Sequence, residues 1–232
     1  MNNIETYEVS IVIPTYNSAK WIKNTVDKLY STLNKFFLLE VILVNDCSKD
    51  STLYELEKLK TIYGSTLVII NNLNNIGQHR STEKGIIAAK GNYIVTYDDD
   101  AQYTPDGILL LHKFAIESGS DLVYGQGFFK YSSISLKVLM YMAYLKYLMW
   151  TKQERKTSFR IITKNLAKKI EPLNSPVIFN IDGLLLAKAE KIGYVKVESV
   201  LHSNSRYTLT KLVLYSISFF IGQIQFFFRR FQ

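Results

Sequence analysis

Short apolar runs alternate with helix-length amphipathic stretches through the first half of the chain. Val9-Ser-Ile-Val-Ile-Pro14, Glu40-Val-Ile-Leu-Val-Asn45-Asp46 and the stretches 67–71, 93–97 and 121–124 are short, mostly apolar and rich in β-branched residues. Runs of this kind bounded by polar residues, Gly or Pro read as buried strands of a parallel sheet. Between them the pattern predicts helices from a Ser18 N-cap to about Leu33, from Ser51 and Thr52 to about Tyr63, from about Arg80 to Ala89, and from Pro105 to about Ser118. Gly91 breaks the third of these before the next strand. Further on, a helix from about Gly183 to Lys191 and a strand near Tyr194 to Val200 are expected. Strict strand–helix alternation predicts an α/β fold, a doubly wound sheet flanked by helices.

Ligands of such sheets bind where the strands end. Four polar clusters fall at those ends: Tyr16-Asn17, Asn45-Asp46, Gly77-Gln78 and Asp98-Asp99-Asp100. The last is the most informative. Aspartate is a poor strand residue, so the strand should stop there. Adjacent carboxylates repel one another unless a cation sits among them. Oxygen ligands suit Mg²⁺ or Mn²⁺, above all an ion that also holds substrate phosphates. In extended chain Asp98 and Asp100 point to one side, with the Gln102 amide next, while Asp99 points to the other. The candidate metal ligands are therefore Asp98, Asp100 and Gln102. Asp99→Ala should keep most activity and Asp100→Ala should abolish it. The bland alternative is a solvated acidic turn before a helix N-terminus.

Composition narrows the choice. Hydrophobic residues make up 47% of the 232 positions and there are only 4 prolines, which excludes a disordered chain. Cys47 is the one cysteine, so no disulfide forms within the chain and a reducing compartment fits. The first eight residues are polar, so no cleavable signal is expected. A formal net charge of +8 suits an anionic partner. The basic residues are scattered through the first half and thicken only around apolar segments in the second, which favours phosphates or a membrane surface over nucleic acid. No Gly-x-Gly-x-x-Gly follows the first strand and no Gly-Lys-Ser/Thr occurs, so neither a dinucleotide fingerprint nor a P-loop is present.

Ile11-Val-Ile-Pro-Thr-Tyr-Asn17, Val44-Asn-Asp-Cys-Ser-Lys-Asp-Ser-Thr52, Asn75-Ile-Gly-Gln-His79 and Asp98-Asp-Asp-Ala-Gln102 resemble the successive motifs of family 2 glycosyltransferases of the GT-A fold. The Gly-Gln-His element and the Asp-x-Asp-x-Gln pattern look most like the branch that glycosylates polyprenyl phosphates. The resemblance implies a mostly parallel sheet, a nucleotide-sugar donor and a bound Mg²⁺ or Mn²⁺. It implies that Pro14, Thr15 and Tyr16 line the nucleoside pocket with Asn17, and that Asp46 hydrogen-bonds the base. Gly77, Gln78 and Arg80 would face the donor diphosphate alongside Asp98 and Asp99. His79, at a helix start, reads more readily as a structural hydrogen-bonder than as a catalyst. Two departures stand out: Ser18 occupies a position where the family motif usually carries an acid, and Asn45 replaces a frequent aspartate.

In the second half, residues 134–150 have helix length, no Gly or Pro, and only Lys137 and Lys146 charged. Aromatic and Met residues around most of the circumference suit a helix in a membrane interface. A core helix or a homodimer contact is the other reading of the same pattern. Ser158-Phe-Arg160-Ile-Ile resembles the Phe-Arg segment of the same branch, with Arg160 on a donor or acceptor phosphate. Asp182, within Ile178-Phe-Asn-Ile-Asp-Gly183, resembles the family's second acidic element. His202-Ser-Asn-Ser-Arg206-Tyr-Thr-Leu-Thr-Lys211 resembles a segment leading to a membrane-proximal helix, which would put Arg206 and Lys211 near the acceptor phosphate. This segment is shorter than the family form and lacks its usual arginine, which Arg206 would replace. Residues 212–228 are apolar but interrupted by Ser, Gly and Gln, and at 17 residues they reach only the lower end of spanning length, about 17–25. An interfacial helix is favoured over a span.

The expected organisation is a GT-A catalytic domain over 1–205, carrying a membrane-side amphipathic helix at 134–156, and an apolar membrane-associating helix over 206–232. The expected activity is inverting, metal-dependent transfer of a sugar from a nucleotide diphosphate sugar to polyprenyl phosphate at the cytoplasmic face of the cell membrane, by a peripheral or monotopic protein. Arg160 and Asp100 would act in catalysis. Two alternatives stay open. One is transfer to a sugar hydroxyl of a lipid-linked glycan with Asp182 as base. The other is a non-catalytic nucleotide-sugar-binding homologue.

Overall fold

The computed structural model of the chain describes residues 7–128, 157–170 and 181–199. The amphipathic segment 134–156, Arg206, Lys211 and the apolar segment 206–232 lie outside the described residues.

The apolar runs form strands β1 (Val9–Thr15), β2 (Leu39–Asn45), β3 (Leu67–Asn71), β4 (Tyr93–Thr96), β5 (Leu122–Phe128), β6 (Arg160–Thr163) and β7 (Ile192–Glu198). They build one seven-stranded sheet in the order β3-β2-β1-β4-β6-β5-β7. Strands β1 to β4 run parallel, as do β5 and β7, while β6 runs antiparallel to both its neighbours. Residues on β1 and β2 are buried almost throughout, which is why they read as continuous apolar runs rather than alternating ones.

Helices cover both faces. Helices α1 (Ile22–Leu33), α2 (Thr52–Tyr63) and α4 (Asp106–Ser118) send Val26, Leu29, Leu56, Leu59, Ile108 and Leu111 into the core on one face with Ile11 and Ile13. Helices α3 (Gln78–Ala88), α5 (Lys164–Lys168) and α6 (Ile181–Lys188) send Ile86, Leu166, Ile181 and Leu185 against Val12, Ile42 and Ile94 on the other. Helix α3 lies close against the sheet because Gly85 faces β1: a Cβ there would stand 2.2 Å from Val12 Cγ1.

Strand β6 is the departure from strict alternation. Phe159 and Ile161 enter the core of one face and Ile162 that of the other, the period-2 pattern of a strand. Its reversed direction has a functional consequence. Arg160, its first residue, pairs with Thr96 at the carboxyl end of β4 and with Tyr124 of β5. A strand start is thereby delivered to the edge where the parallel strands end.

Helix α1 starts later than a Ser18 cap implies. It begins at Ile22 behind Trp21, with no side-chain cap. The Ser18 carbonyl accepts from the amides of Trp21 and Ile22 at 2.9 and 3.0 Å, while its hydroxyl is engaged elsewhere. Among the described residues no helix is long and apolar enough to cross a membrane.

Candidate active site

The loop after β4 carries the acids. Asp98 accepts from Ser158 Oγ at 2.5 Å and from Gln78 Nε2 at 3.4 Å. Burial pushes its carboxyl up to about 6, with Asp100 and Asp99 adding to the rise and Ser158 and Arg160 opposing it. Asp100 accepts from Gln102 Nε2 at 3.1 Å through one oxygen, and its other oxygen, Oδ1, is buried with no hydrogen-bond partner among the described residues. Asp99 turns the other way, toward α1: Ser18 Oγ donates to its carboxylate. Asp98 to Ala101 forms a turn and not extended chain, with the Ala101 amide donating to the Asp98 carbonyl at 3.4 Å, so it is the turn that aims Asp99 at Ser18. The loop closes over Ala101, whose φ of 51° lies in the left-handed region, and the Tyr97 hydroxyl donates to the Tyr103 carbonyl across its base.

These residues fit a divalent ion. An unpartnered buried acceptor costs about 1–3 kcal/mol, and Asp100 Oδ1 carries that cost beside a second carboxylate. A hard cation removes it. Among the described residues no group of three or more His, Cys, Asp or Glu side chains is arranged around a metal position. The protein thus offers two carboxylates with an amide beside them, a donor set that substrate phosphates and water would complete.

The loops after β1 and β2 interlock. Asn17 Oδ1 accepts from the Lys49 amide at 2.8 Å, the Asn17 amide donates to Ser48 Oγ at 3.0 Å, and Ser48 Oγ donates to Asn45 Oδ1 at 2.5 Å. Tyr16 remains partly exposed at the rim, whereas Thr15 is buried and its hydroxyl donates to the Val44 carbonyl at 3.2 Å. Pro14 is half-buried in β1. Asp46 is buried, and its carboxylate accepts from Asn72 Nδ2 at 3.1 Å and from the amides of Ile76 and Gly77 at 2.8 and 2.9 Å. It therefore shapes the loop that leads into α3. Gly77, with φ 86°, makes the turn a side chain would oppose, and Gln78 opens the helix. Arg80 lies in the first turn of α3, half-buried.

At the far side stands an ion pair. Arg160 Nη1 donates to Asp182 Oδ1, and the Tyr124 hydroxyl donates to the same oxygen at 3.3 Å. Arg160 is buried, and its Nε has no partner among the described residues. Burial, aided by Asp182, holds the Tyr124 phenol protonated, well above its ordinary range. His79 is close enough to feel both charges: desolvation lowers its pKa, Asp182 opposes and Arg160 reinforces. Ser158 and Tyr124 were not singled out from the sequence. Ser158 opens the Phe-Arg segment but carried no role of its own there, and Tyr124 is hidden inside a strand pattern.

A family model described as glycosyl transferase family 2 matches residues 10–177. The chain belongs to glycosyl transferase family 2. Among similar family 2 proteins, the poly(ribitol-phosphate) beta-glucosyltransferase of Bacillus spizizenii is 34% identical over 119 residues, 51% of this chain and 19% of that one. The undecaprenyl-phosphate 4-deoxy-4-formamido-L-arabinose transferase of Aeromonas hydrophila is 32% identical over 124 residues, 53% of this chain and 38% of that one. The aligned part thus spans well under half of either relative. Among solved structures, the mannosyltransferase PcManGT of Pyrobaculum calidifontis, in complex with GDP-Man and Mn2+, superposes with a TM-score of 0.64 at 16% identity, covering 88% of this chain and 59% of that one. The shared architecture is the GT-A-like, mostly parallel sheet expected from the motifs.

Proposed function

We propose that this protein transfers a sugar from a nucleotide diphosphate sugar to a polyprenyl phosphate, with inversion at the anomeric carbon and with Mg²⁺ or Mn²⁺ held by Asp98 and Asp100 beside Gln102. The observation that carries the acceptor is the Arg160–Asp182 pair. A guanidinium has five N–H donors. Asp182 is bound by Nη1, and the buried Nε has no protein acceptor among the described residues. Asp182 is itself engaged by Arg160 and Tyr124, the posture of a residue that orients a cation. Undecaprenyl-phosphate and dodecaprenyl-phosphate enzymes among the relatives support the same acceptor class.

When bound, the metal would stabilise as a Lewis acid the charge that develops on the leaving diphosphate. The chain's own groups do the rest. Ser158 and Gln78 hold Asp98, Gln102 holds Asp100, and the β1 and β2 loops with Tyr16 frame the nucleoside. Arg160 places the acceptor phosphate, which is largely ionised at neutral pH with a second pKa of about 6 and so attacks without a base. In this reading Arg206 and Lys211 also contact the acceptor phosphate, and the protein attaches peripherally at the cytoplasmic membrane face.

A hydroxyl acceptor with Asp182 as base is the second reading. It draws on the 21% exposure of the Asp182 side chain and on the poly(ribitol-phosphate) relative. A panel of radiolabelled nucleotide sugars, incubated with undecaprenyl phosphate or with a lipid-linked glycan and with or without Mn²⁺, separates the readings. Label that becomes butanol-extractable only with the lipid phosphate and the metal supports the proposal. Transfer only to the glycan transfers the role of base to Asp182. No transfer to either would leave a binding protein.

A further inference from the structure

Two residues far apart in the chain meet in space. Ser18 stands where the first motif usually carries an acid, and Asp99 puts an acid at the centre of the β4 loop. Both are buried, and the Ser18 hydroxyl donates to the Asp99 carboxylate across 81 residues of sequence. We propose that Asp99 is a positioning residue that locks the metal loop against the nucleoside loop through Ser18. This inference rests on the metal and donor reading given above.

The lock is anchored on both partners. The Asp99 carbonyl accepts from Thr25 Oγ1 of α1 at 2.9 Å, so backbone and side chain are held against the same helix entrance. Ser18 accepts through its hydroxyl from the Tyr16 amide at 3.2 Å and donates its own amide to Thr52 Oγ1 at 2.7 Å. Thr52 in turn donates to Asp50 Oδ1 at 2.5 Å. One bonded path therefore runs from Tyr16 at the rim, through Ser18, to the residue between the two candidate metal ligands. Asp99 cannot shift without moving Asp98 and Asp100, because a single peptide unit separates it from each. The acceptor is ionic, which places this bond in the stronger class. The inference runs against the expectation that Asp99→Ala keeps most activity. The side chain points to Ser18 at the entrance of α1, and that contact is how it holds the loop.

The test reads Mn²⁺ binding from the EPR signal of the free ion, with circular dichroism to confirm folding. Asp99→Asn and Asp99→Ala remove the same charge, but only the first keeps an oxygen for Ser18. Each is made with Ser18 and with Ser18→Ala. Loss of a partner that orients a metal ligand costs about 10–100-fold in affinity. The expected result is Asp99→Asn binding Mn²⁺ at least tenfold tighter than Asp99→Ala when Ser18 is present, with the gap closed in Ser18→Ala. Equal binding by the two variants beside Ser18 overturns the proposal, because charge alone then explains Asp99. A gap that survives Ser18→Ala overturns it too, because the partner is then another group. Wild-type protein that binds no Mn²⁺ overturns both this inference and the metal reading. Wild-type protein that binds Mn²⁺ but transfers no sugar sinks only the transfer reading.

Discussion

Arg160 and Asp182 meet as an ion pair in which the guanidinium is buried at the start of β6 and the carboxylate sits in the first turn of α6. The pair joins a strand to a helix on the same face of the sheet, next to the acids of the β4 loop. Removing one member of a buried pair costs about 3–5 kcal/mol. The lower end applies here, since Asp182 keeps some access to water. Arg160→Ala should therefore lower stability by about 3 kcal/mol in urea unfolding. Arg160→Lys keeps the charge and loses the fork, so it should fold while kcat/KM for the lipid phosphate falls at least a hundredfold. Asp182→Asn should cost less than tenfold in kcat, because it removes an orienting acceptor and no base. A loss of two decades or more with an intact fold is what a general base produces, typically about 10²–10⁴-fold, and it would move the assignment to a hydroxyl acceptor.

Asp100 is expected to show opposite effects with and without metal. Its Oδ1 is an unpartnered buried acceptor beside Asp98. Asp100→Asn lowers the negative charge of the loop, so the apo variant should unfold at the same temperature as wild type or higher. A ligand at a hundred times its Kd stabilises by about 2.7 kcal/mol. Wild type should gain that increment with Mn²⁺ and Asp100→Asn should not, with transfer activity lost. A full Mn²⁺-induced rise in the variant's Tm would remove Asp100 from the ligand set.

Strands β1, β2 and β4 were legible because a strand buried on both faces must be a short apolar run, and the edge strand β3 because it is a short β-branched run ending in asparagine. Strand β6 was not, because it is four residues long and opens on an arginine, a residue that local rules assign to the surface. Only its neighbours, β4 and β5, make it a strand. Ser18 shows the same limit from the other side. By local rules it is a good helix cap, but a buried carboxylate far along the chain takes its hydroxyl, and the helix starts at Ile22 instead. That the strand stops before the three acids was readable, although the loop turns at Asp99 and Asp100 where extended chain was expected. What Asp99 does was not, since its partner is set by the tertiary fold.

His112 should make stability fall in mild acid. The ring is buried in α4, edge-on to Phe37 and Tyr93 with centroids 4.7 Å away in both cases, and Glu8 Oε1 lies 3.6 Å from Nε2. Burial lowers its pKa, and Glu8 only partly opposes this. The unfolded chain therefore takes up the proton first as pH falls. Above the unfolded value, about 6.5, both states are neutral and the residue has no effect on the pH dependence. Below it the unfolded state binds more protons, so unfolding free energy declines with falling pH. Urea titrations of wild type and His112→Phe at pH 7.5 and 5.5 isolate the effect, since other titrating groups are common to both. The drop between the two pH values should be smaller in His112→Phe. An equal drop would mean the ring is protonated as readily folded as unfolded.

Asp46 should act on the donor through the loop it holds. Its carboxylate takes two backbone amides, from Ile76 and Gly77, and the side chain of Asn72, while its own carbonyl accepts from Asn75 Nδ2 at 3.2 Å. Three hydrogen bonds nearly fill a carboxylate with about four lone-pair sites. Asp46→Ala leaves the two loop amides without their acceptor, at about 1–3 kcal/mol each where water cannot reach them. The loop sets the position of Gln78, which bonds Asp98, so the damage should travel to the metal side. The expected outcome is a raised KM for the nucleotide sugar together with weaker Mn²⁺ binding, and faster amide exchange at Ile76 and Gly77. A residue that touched only the base would raise the donor KM and leave Mn²⁺ binding and those amides unchanged. Hydrogen exchange at the two amides therefore decides between a loop-holding and a base-reading Asp46.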